Sequence, residues 1–182
     1  MDSKAILQEW LDSRGWDDEL IVSDDGTEVS LRTGIELDEN SWNLFVDANN
    51  QSCLVGFFLY SSFKVKTAKR AEACLLVNEI NDRMRLGRFV VRDNGQIQYR
   101  QQVDFEAAEP TSRSIELMAV PAFSFCETYN STLAAVALTK QTAADAIAEF
   151  DAVQAEKAAA AASEDAEDDE SDGAADDAPR MM

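Results

Sequence analysis

The sequence contains no histidine among its 182 residues, so it lacks the side chain that most often serves as general base or zinc ligand near neutral pH. The three cysteines are widely spaced and form no CxxC pair, which argues against a metal site. No GxSxG segment is present, and the seven glycines are scattered rather than gathered in a phosphate-binding loop. We therefore expect a protein that is not an enzyme and needs no cofactor.

Long apolar runs are also missing. The densest, residues 53–60, is far shorter than the roughly 20 residues that cross a bilayer. The N-terminus lacks the basic and apolar regions of a signal peptide. Cys53, Cys74 and Cys126 lie among apolar neighbours, which predicts reduced thiols in the core of a cytoplasmic protein.

Acidic residues outnumber basic ones 35 to 16, and the formal net charge is −19. An excess of this size repels nucleic acid and argues against direct binding to it. Residues 64–100 are the exception, because they carry nine bases and four acids. The basic patch predicted there consists of Lys64, Lys66, Lys69, Arg70, Arg83, Arg85 and Arg88. It is interpreted as a solvated helix face with cations at the helix end; the alternative is a dock for an acidic segment of a partner, or for residues 163–177 of this chain.

The first part of the chain predicts one helix followed by three strands. The helix spans residues 3–14, capped by Asp2 or Ser3 and ended by Gly15. Alternating apolar residues predict strands over 27–35, 41–48 and 52–63. The pair Asn49-Asn50 predicts a tight turn with positive φ between the second and third strands. The third strand is apolar on both faces, which is typical of a central strand or of one with a covered outer face.

A second helix and a hairpin follow. Apolar residues at helical spacing predict a helix over 67–86, ended by Gly87. Strands over 88–92 and 96–103 are predicted to pair through Asn94-Gly95, a dipeptide that suits a type I′ turn with positive φ at both residues.

The remainder is predicted to be helical and then disordered. Thr111 or Ser112 caps a helix that kinks or restarts at Pro121 and runs to Leu138. An alanine-rich helix is expected over 142–162, followed by an acidic disordered tail over 163–182. The order of elements predicts an α+β fold, α-β-β-β-α-β-β-α, with a five-stranded, mostly antiparallel sheet and helices packed on one side. We divide the chain into a domain of residues 1–140, a helical extension of 141–162 and the tail.

One short motif carries a family resemblance. The segment Leu76-Val77-Asn78-Glu79-Ile80-Asn81 is followed by Gly87-Arg88-Phe89 and by Gly95-Gln96-Ile97. Together with the opening Leu11-x-x-x-Gly15 and the order of elements, this pattern resembles the YbjN family over about residues 3–140. The resemblance implies the fold of type III secretion chaperones, frequent dimerisation, and protein binding or regulation. It implies no reaction and no catalytic residues.

Two sets of residues allow both a structural and a functional interpretation. Asn78 and Asn81 share a helix face and form either a polar recognition site or a tie to the backbone near Gly87. The second set consists of Phe57, Phe58, Tyr60 and Phe63. We expect most of these side chains to lie in the core and part of the set to form a dimer or partner surface.

The leading hypothesis is a non-enzymatic protein-binding module, chaperone-like or regulatory, that forms a homodimer and binds a protein segment through an apolar sheet or helix surface. The alternative is an electrostatic regulator or nucleic-acid mimic whose acidic tail binds a basic partner. The tail has nine aspartates and glutamates between Glu164 and Asp177. The identity of the partner is left open by the sequence.

Overall fold

The computed structural model describes residues 2–37, 40–106 and 108–171. Within these residues the α-helices are α1 (Ser3–Arg14), α2 (Arg70–Arg83), α3 (Ser112–Leu138) and α4 (Ala143–Ser171). The strands are β1 (Ile21–Val22), β2 (Glu28–Leu37), β3 (Asn40–Asn49), β4 (Leu54–Lys64), β5 (Arg88–Val91) and β6 (Gln96–Asp104). A 3₁₀ helix, Thr67–Lys69, leads into α2. No helix in these ranges is both long and apolar enough to cross a membrane.

The strands form one antiparallel sheet in the order β1-β2-β3-β4-β6-β5. The interior position of β4 confirms that the strand with two apolar faces is central. The predicted α+β fold is confirmed, but the sheet has six strands and not five. The additional strand, β1, has only two residues, which pair with Ser30 and Val29. Two residues are too few to show the alternation from which a strand is predicted.

Alternate residues of each strand face the helices and form the core. In β2 these include Val29 and Leu31, and in β4 they include Phe57 and Leu59, all of them at most 1% exposed. They pack with buried side chains of α1, α2 and α3 in one cluster. The intervening residues point to the other side of the sheet because side chains alternate along a strand. We call this second side the open face.

A charged cluster joins α1 to α3 at the edge of the core. Arg14 donates two hydrogen bonds to Glu116, and the indole Nε1 of Trp10 donates a third at 2.9 Å. The Arg14 guanidinium also lies 5.0 Å from the ring centroid of Phe123. Burial by itself would raise the pKa of Glu116, but the hydrogen bonds from Trp10 and Arg14 outweigh burial and lower it.

Glu116→Gln is expected to lower the free energy of unfolding by about 1–3 kcal/mol at neutral pH, because hydrogen bonds to a charged group are lost or weakened. A carboxylate whose pKa is lower in the folded state stabilises the fold above its unfolded pKa of about 4.3. That contribution disappears as the pH falls through the folded value. Urea unfolding should therefore show a difference between the two proteins at neutral pH that shrinks below about pH 4.

Glu127→Gln is the matched control, since Glu127 is an exposed glutamate on the same helix. It should change stability by no more than about 0.5 kcal/mol. If Glu116→Gln had an effect equally small, the charged cluster would not contribute to the packing of α1 against α3.

The end of α2 differs from its prediction. The helix ends at Arg83, and Met84 has an extended backbone, whereas the sequence pattern predicted continuation to residue 86. Gly87 lies in the following link with a φ of +65° and does not terminate the helix directly. The side-chain amide of Asn81 donates to the carbonyl of Phe89 at 3.0 Å and its oxygen accepts from the Phe89 amide at 2.7 Å. The structural interpretation is therefore confirmed for Asn81, while Asn78 lies exposed on the outer side of α2.

Two turns form by mechanisms other than those predicted. In the β5–β6 hairpin, Gly95 has a φ of +85° but Asn94 does not have positive φ. The Gly95 amide bonds to the Arg92 carbonyl and the Arg92 amide bonds to Gln96, which is a three-residue loop with a glycine bulge and not a type I′ turn. Between β3 and β4, Cys53 has the positive φ, not Asn49 or Asn50. The side chain of Asn49 instead accepts from two backbone amides of the turn.

The C-terminal helices are longer than predicted. The helix α3 continues through Pro121 without a restart, because buried side chains hold it on both sides of the proline, among them Met118 and Phe123. Of the two predicted caps, Thr111 is the one that caps the helix, and it does so through a capping box with Ser114. The helix α4 continues beyond 162 to Ser171. The rest of the predicted disordered tail, 172–182, lies outside the described residues, and its disorder stays a prediction.

The cysteines occupy three environments. Cys126 is buried, as predicted, and burial raises the pKa of its thiol well above the ordinary value. Cys53 is half-buried and Cys74 is exposed on α2, so the prediction of a core position is wrong for Cys74. Leu76, two residues further on, is fully buried as expected, so the apolar side of α2 includes Leu76 but not Cys74.

Candidate functional site on the open face of the sheet

The registers of five strands place one residue from each at the same level of the open face. Arg32 of β2 pairs with Phe45, Phe45 with Phe58, and Phe58 with Arg100. Arg100 pairs in turn with Arg88 of β5. We call these five residues the central row. Neighbouring strands lie about 4.8 Å apart, so the central row spans about 19 Å.

The aromatic side chains of the open face contact each other and a cation. The rings of Phe45 and Tyr60 meet edge to face with centroids 5.0 Å apart, and the guanidinium of Arg32 lies 5.6 Å from the centroid of Phe45. A Cβ atom on Gly56 would lie 2.6 Å from the Phe58 ring, so glycine at this position lets that ring lie close against the sheet. Phe45 and Tyr60 therefore form one aromatic contact, and the half-buried Phe58 lies on the same face, opposite Phe45 in the register.

A shallow depression of about 420 Å³ adjoins these rings. Its lining includes Arg32 and Phe58 of the central row, together with Leu54, Asp47 and Gln102. Leu54 is 38% exposed, which adds an aliphatic side chain to the aromatic surface. The walls of the depression therefore combine apolar and charged side chains.

Tyr60 and Gln98 form a polar pair beside the central row. The side-chain amide of Gln98 donates to the Tyr60 hydroxyl at 2.7 Å. Gln98 is only 3% exposed although it faces away from the helices. The hydrogen bond from the buried Gln98 side chain holds the Tyr60 ring beside its neighbour Phe45.

The structure divides the aromatic set that the sequence singled out. Phe58 and Tyr60 lie on the open face, half-buried. Phe57 has no exposed surface and packs against Trp10 and Phe123 with ring centroids 6.0 and 5.8 Å away. Phe63 is half-buried against the same core. Only Phe58 and Tyr60 can therefore contact a partner through the sheet in this conformation.

The basic patch is split between the two ends of α2, which are about 21 Å apart. At the first end, Lys69 donates to the Gln141 carbonyl at 2.7 Å and Arg70 pairs with Asp93; Lys64 and Lys66 also lie there. At the other end Arg83 pairs with Asp151 of α4. The cations of α2 thus hold the hairpin and α4 in place, and Arg85 and Arg88 follow on the link and β5.

Three members of the site, Arg32, Phe45 and Arg100, were missed from the sequence. Alternation along 41–49 places Phe45 opposite the buried set, and this signal was available. The pairing of Phe45 with Phe58 could not be read from the sequence, because it depends on the length of the β3–β4 turn. That turn was predicted too short. Among the described residues, no group of three or more histidine, cysteine, aspartate or glutamate side chains is arranged to hold a metal ion.

Two solved structures are similar to this chain. The crystal structure of YbjN from E. coli, titled a putative transcription regulator, is similar with a TM-score of 0.47 and 11% identity, over 70% of this chain and 91% of that one. The crystal structure of the ExsC-ExsE complex is similar with a TM-score of 0.48 and 17% identity, over 73% of this chain and 96% of that one. No curated protein matches the sequence.

The sequence model of one family matches residues 3–135 and is described as "YbjN: Putative bacterial sensory transduction regulator". The match includes α1, the whole sheet, α2 and most of α3. It confirms the resemblance drawn from the Leu76–Asn81 segment and the hairpin that follows. The chain belongs to the YbjN family.

Proposed function

We propose that this protein is a non-enzymatic binding module, chaperone-like or regulatory, that holds a segment of a partner protein on the open face of its sheet. The observation that carries the proposal is the aromatic surface of Phe45, Phe58 and Tyr60 on the side of the sheet away from the helices. A solvated face of an antiparallel sheet is normally polar. Aromatic side chains concentrated on such a face are typical of surfaces that bind proteins. The family description as a regulator agrees with this role.

The proposal extends to a homodimer, as the family resemblance implies, and to a cytoplasmic location, as the sequence pattern around the cysteines favours. Sedimentation equilibrium of the full chain should give twice the mass of 20.1 kDa. A single monomeric species at all concentrations would remove dimerisation from the proposal without affecting the role of the open face.

Photo-crosslinking in the native source tests the site directly. Phe45 is replaced by the photoreactive analogue benzoyl-phenylalanine, which keeps an aromatic ring on the open face. We expect irradiation to join the full chain to a discrete partner protein. Phe58→Ser in the same chain should abolish that adduct, because it removes the ring opposite Phe45.

The matched control carries the analogue at Val120, which is 52% exposed on α3. It should yield no adduct with the same partner. Equal adducts at both positions, or an adduct that persists in Phe58→Ser, would show that the partner does not bind through the open face.

The acidic C-terminal segment offers a second candidate function, because α4 continues as a helix into the run that begins at Glu164. In this alternative the segment binds a basic partner and the folded domain only carries it. Replacing the nine acids of 164–177 by their amides in the full chain distinguishes the two. Loss of the partner in that variant, with the partner retained in Phe58→Ser, would favour the acidic segment.

A further inference from the structure

Two arginines of the central row lie directly opposite each other. Arg88 of β5 and Arg100 of β6 are paired across the sheet edge, and both side chains belong to the open face. Residues paired in this way have Cβ atoms about 5 Å apart, and like charges at that distance destabilise the sheet. An arrangement that is unfavourable alone becomes favourable when an anion lies between the two guanidinium groups.

No carboxylate in the described part of the chain supplies that anion. Within the described residues, neither arginine has a carboxylate within 4.0 Å, although Arg14, Arg70 and Arg83 each form such a pair. Arg100 instead donates to the side chain of Gln102 at 2.8 Å. A depression of about 270 Å³ opens beside the pair, lined by Gly87, Arg88 and Arg100 together with Gln101 and Gln102. The pair is therefore accessible and has room for a carboxylate.

The acids of the open face occupy other levels of the sheet. Glu28 and Asp104 lie two levels from the central row, beside Asn49 and Leu54. Asp47 lies one level from the central row on the same side as Glu28, and Glu36 lies two levels beyond the row in the other direction along β2. A segment that follows the central row thus meets two arginines, two phenylalanines and a third arginine in succession.

We propose that the Arg88–Arg100 pair binds a carboxylate of the partner, and that the segment held on the open face is an acidic peptide with a large apolar side chain next to that carboxylate. The apolar side chain lies on Phe58 and Phe45, since Phe58 is paired with Arg100. The point midway between Arg88 and Arg100 lies one and a half strand spacings, about 7 Å, from Phe58, which fits residues two apart in an extended peptide. This inference rests on the proposed function and names the chemical class of its partner.

The occupant favoured is a short peptide and not a nucleic acid. A polyanion would approach a chain with a net charge of −19, and the repulsion grows with every phosphate. A single carboxylate, by contrast, can be bound by the two guanidinium groups alone. The tail of this chain fits less well, because the sequence from 163 to 180 contains no large apolar residue to lie on the rings.

Fluorescence anisotropy with the full-length protein tests the inference. The probe is a short labelled peptide in which one glutamate and one phenylalanine are separated by a single serine, so that both side chains face the sheet, and a second probe has glutamine in place of glutamate. We expect the glutamate peptide to bind at least about tenfold more tightly, as charge-assisted hydrogen bonds allow. The double variant Arg88→Gln/Arg100→Gln should bind both peptides equally. Arg85→Gln, at an exposed arginine outside the central row, should behave as the wild type.

The outcomes separate the inference from the proposed function. Equal binding of both peptides to the wild type, abolished by Phe58→Ser, would overturn carboxylate recognition and leave the aromatic surface as the binding site. Absence of binding to either peptide would count against both the inference and the proposed function.

Tight binding of a labelled oligothymidylate that needs Arg88 and Arg100 would assign the pair to nucleic acid and overturn the inference. It would also be overturned by a changed sedimentation mass in the double variant, which would assign this face to a second copy. Much tighter peptide binding after neutralisation of the nine acids of 164–177 would overturn it as well, by assigning the row to the tail.

Discussion

Gly87→Ala is expected to lower the free energy of unfolding by about 2–5 kcal/mol. Two costs add at this position. The backbone φ is +65°, a conformation that alanine adopts only with strain. The new Cβ atom would also meet the Tyr99 side chain, which is fully buried, so that either the ring or the link after α2 must move. Denaturant unfolding by circular dichroism measures the loss.

Gly26→Ala separates the two costs. Gly26 has a φ of +70°, but a Cβ atom there would have no neighbour within 4 Å. This variant should lose only the conformational part, about 1–2 kcal/mol. If Gly87→Ala and Gly26→Ala were equally destabilised, the close approach of Tyr99 to the link would not matter for stability. The Gly87 of the family motif would then be required for its backbone conformation alone.

Phe57→Ala should lower the free energy of unfolding by about 3–5 kcal/mol, which is typical for a large aromatic side chain removed from a packed core. Phe57 lies on the central strand β4 with no exposed surface and contacts rings of α1 and α3. Its loss would leave a cavity where both helices meet the sheet. The midpoint of guanidinium chloride unfolding measures the effect.

The adjacent residue provides the comparison. Phe58→Ala removes the same side chain from the open face and should cost about 1 kcal/mol or less. It should nevertheless abolish binding of the peptide probes. The variant with the smaller loss of stability is thus expected to have the larger loss of binding. Similar losses of stability in the two variants would contradict the assignment of Phe57 to the core and Phe58 to the surface.

The arrangement of elements was predictable because it depends on local patterns. Helix α1 begins after Asp2, whose side chain accepts from the Ala5 amide, and ends at Gly15 with a φ of +67°. Both signals are read within a few residues. The hairpin of β5 and β6 and the capping of α3 by Thr111 were equally accessible. The confirmed role of Asn81 shows that even a side-chain tie can be inferred when its partner is close in the chain.

The candidate site could not be assembled from the sequence because it depends on distant pairing. The central row joins residues from Arg32 to Arg100, and a change of one residue in any turn would move a strand to the opposite face. The turns were the elements predicted least well, since Cys53 and not asparagine has positive φ before β4. The cluster of Trp10, Arg14 and Glu116 was missed for the same reason: about a hundred residues separate its members, and nothing local to Glu116 indicates its partners.

The length of α4 has a consequence for how charge is distributed in space. The residues from Asp151 to Ala162 are exposed, and the helix rises about 1.5 Å per residue, so the acidic run from Glu164 begins about 20 Å beyond Asp151. That distance exceeds two Debye screening lengths, since one such length is about 8 Å at physiological ionic strength. The start of the acidic run therefore contributes little to the electrostatic potential at the Arg83–Asp151 pair. A basic molecule at that end of α4 would leave this ion pair, which joins α2 to α4, unaffected.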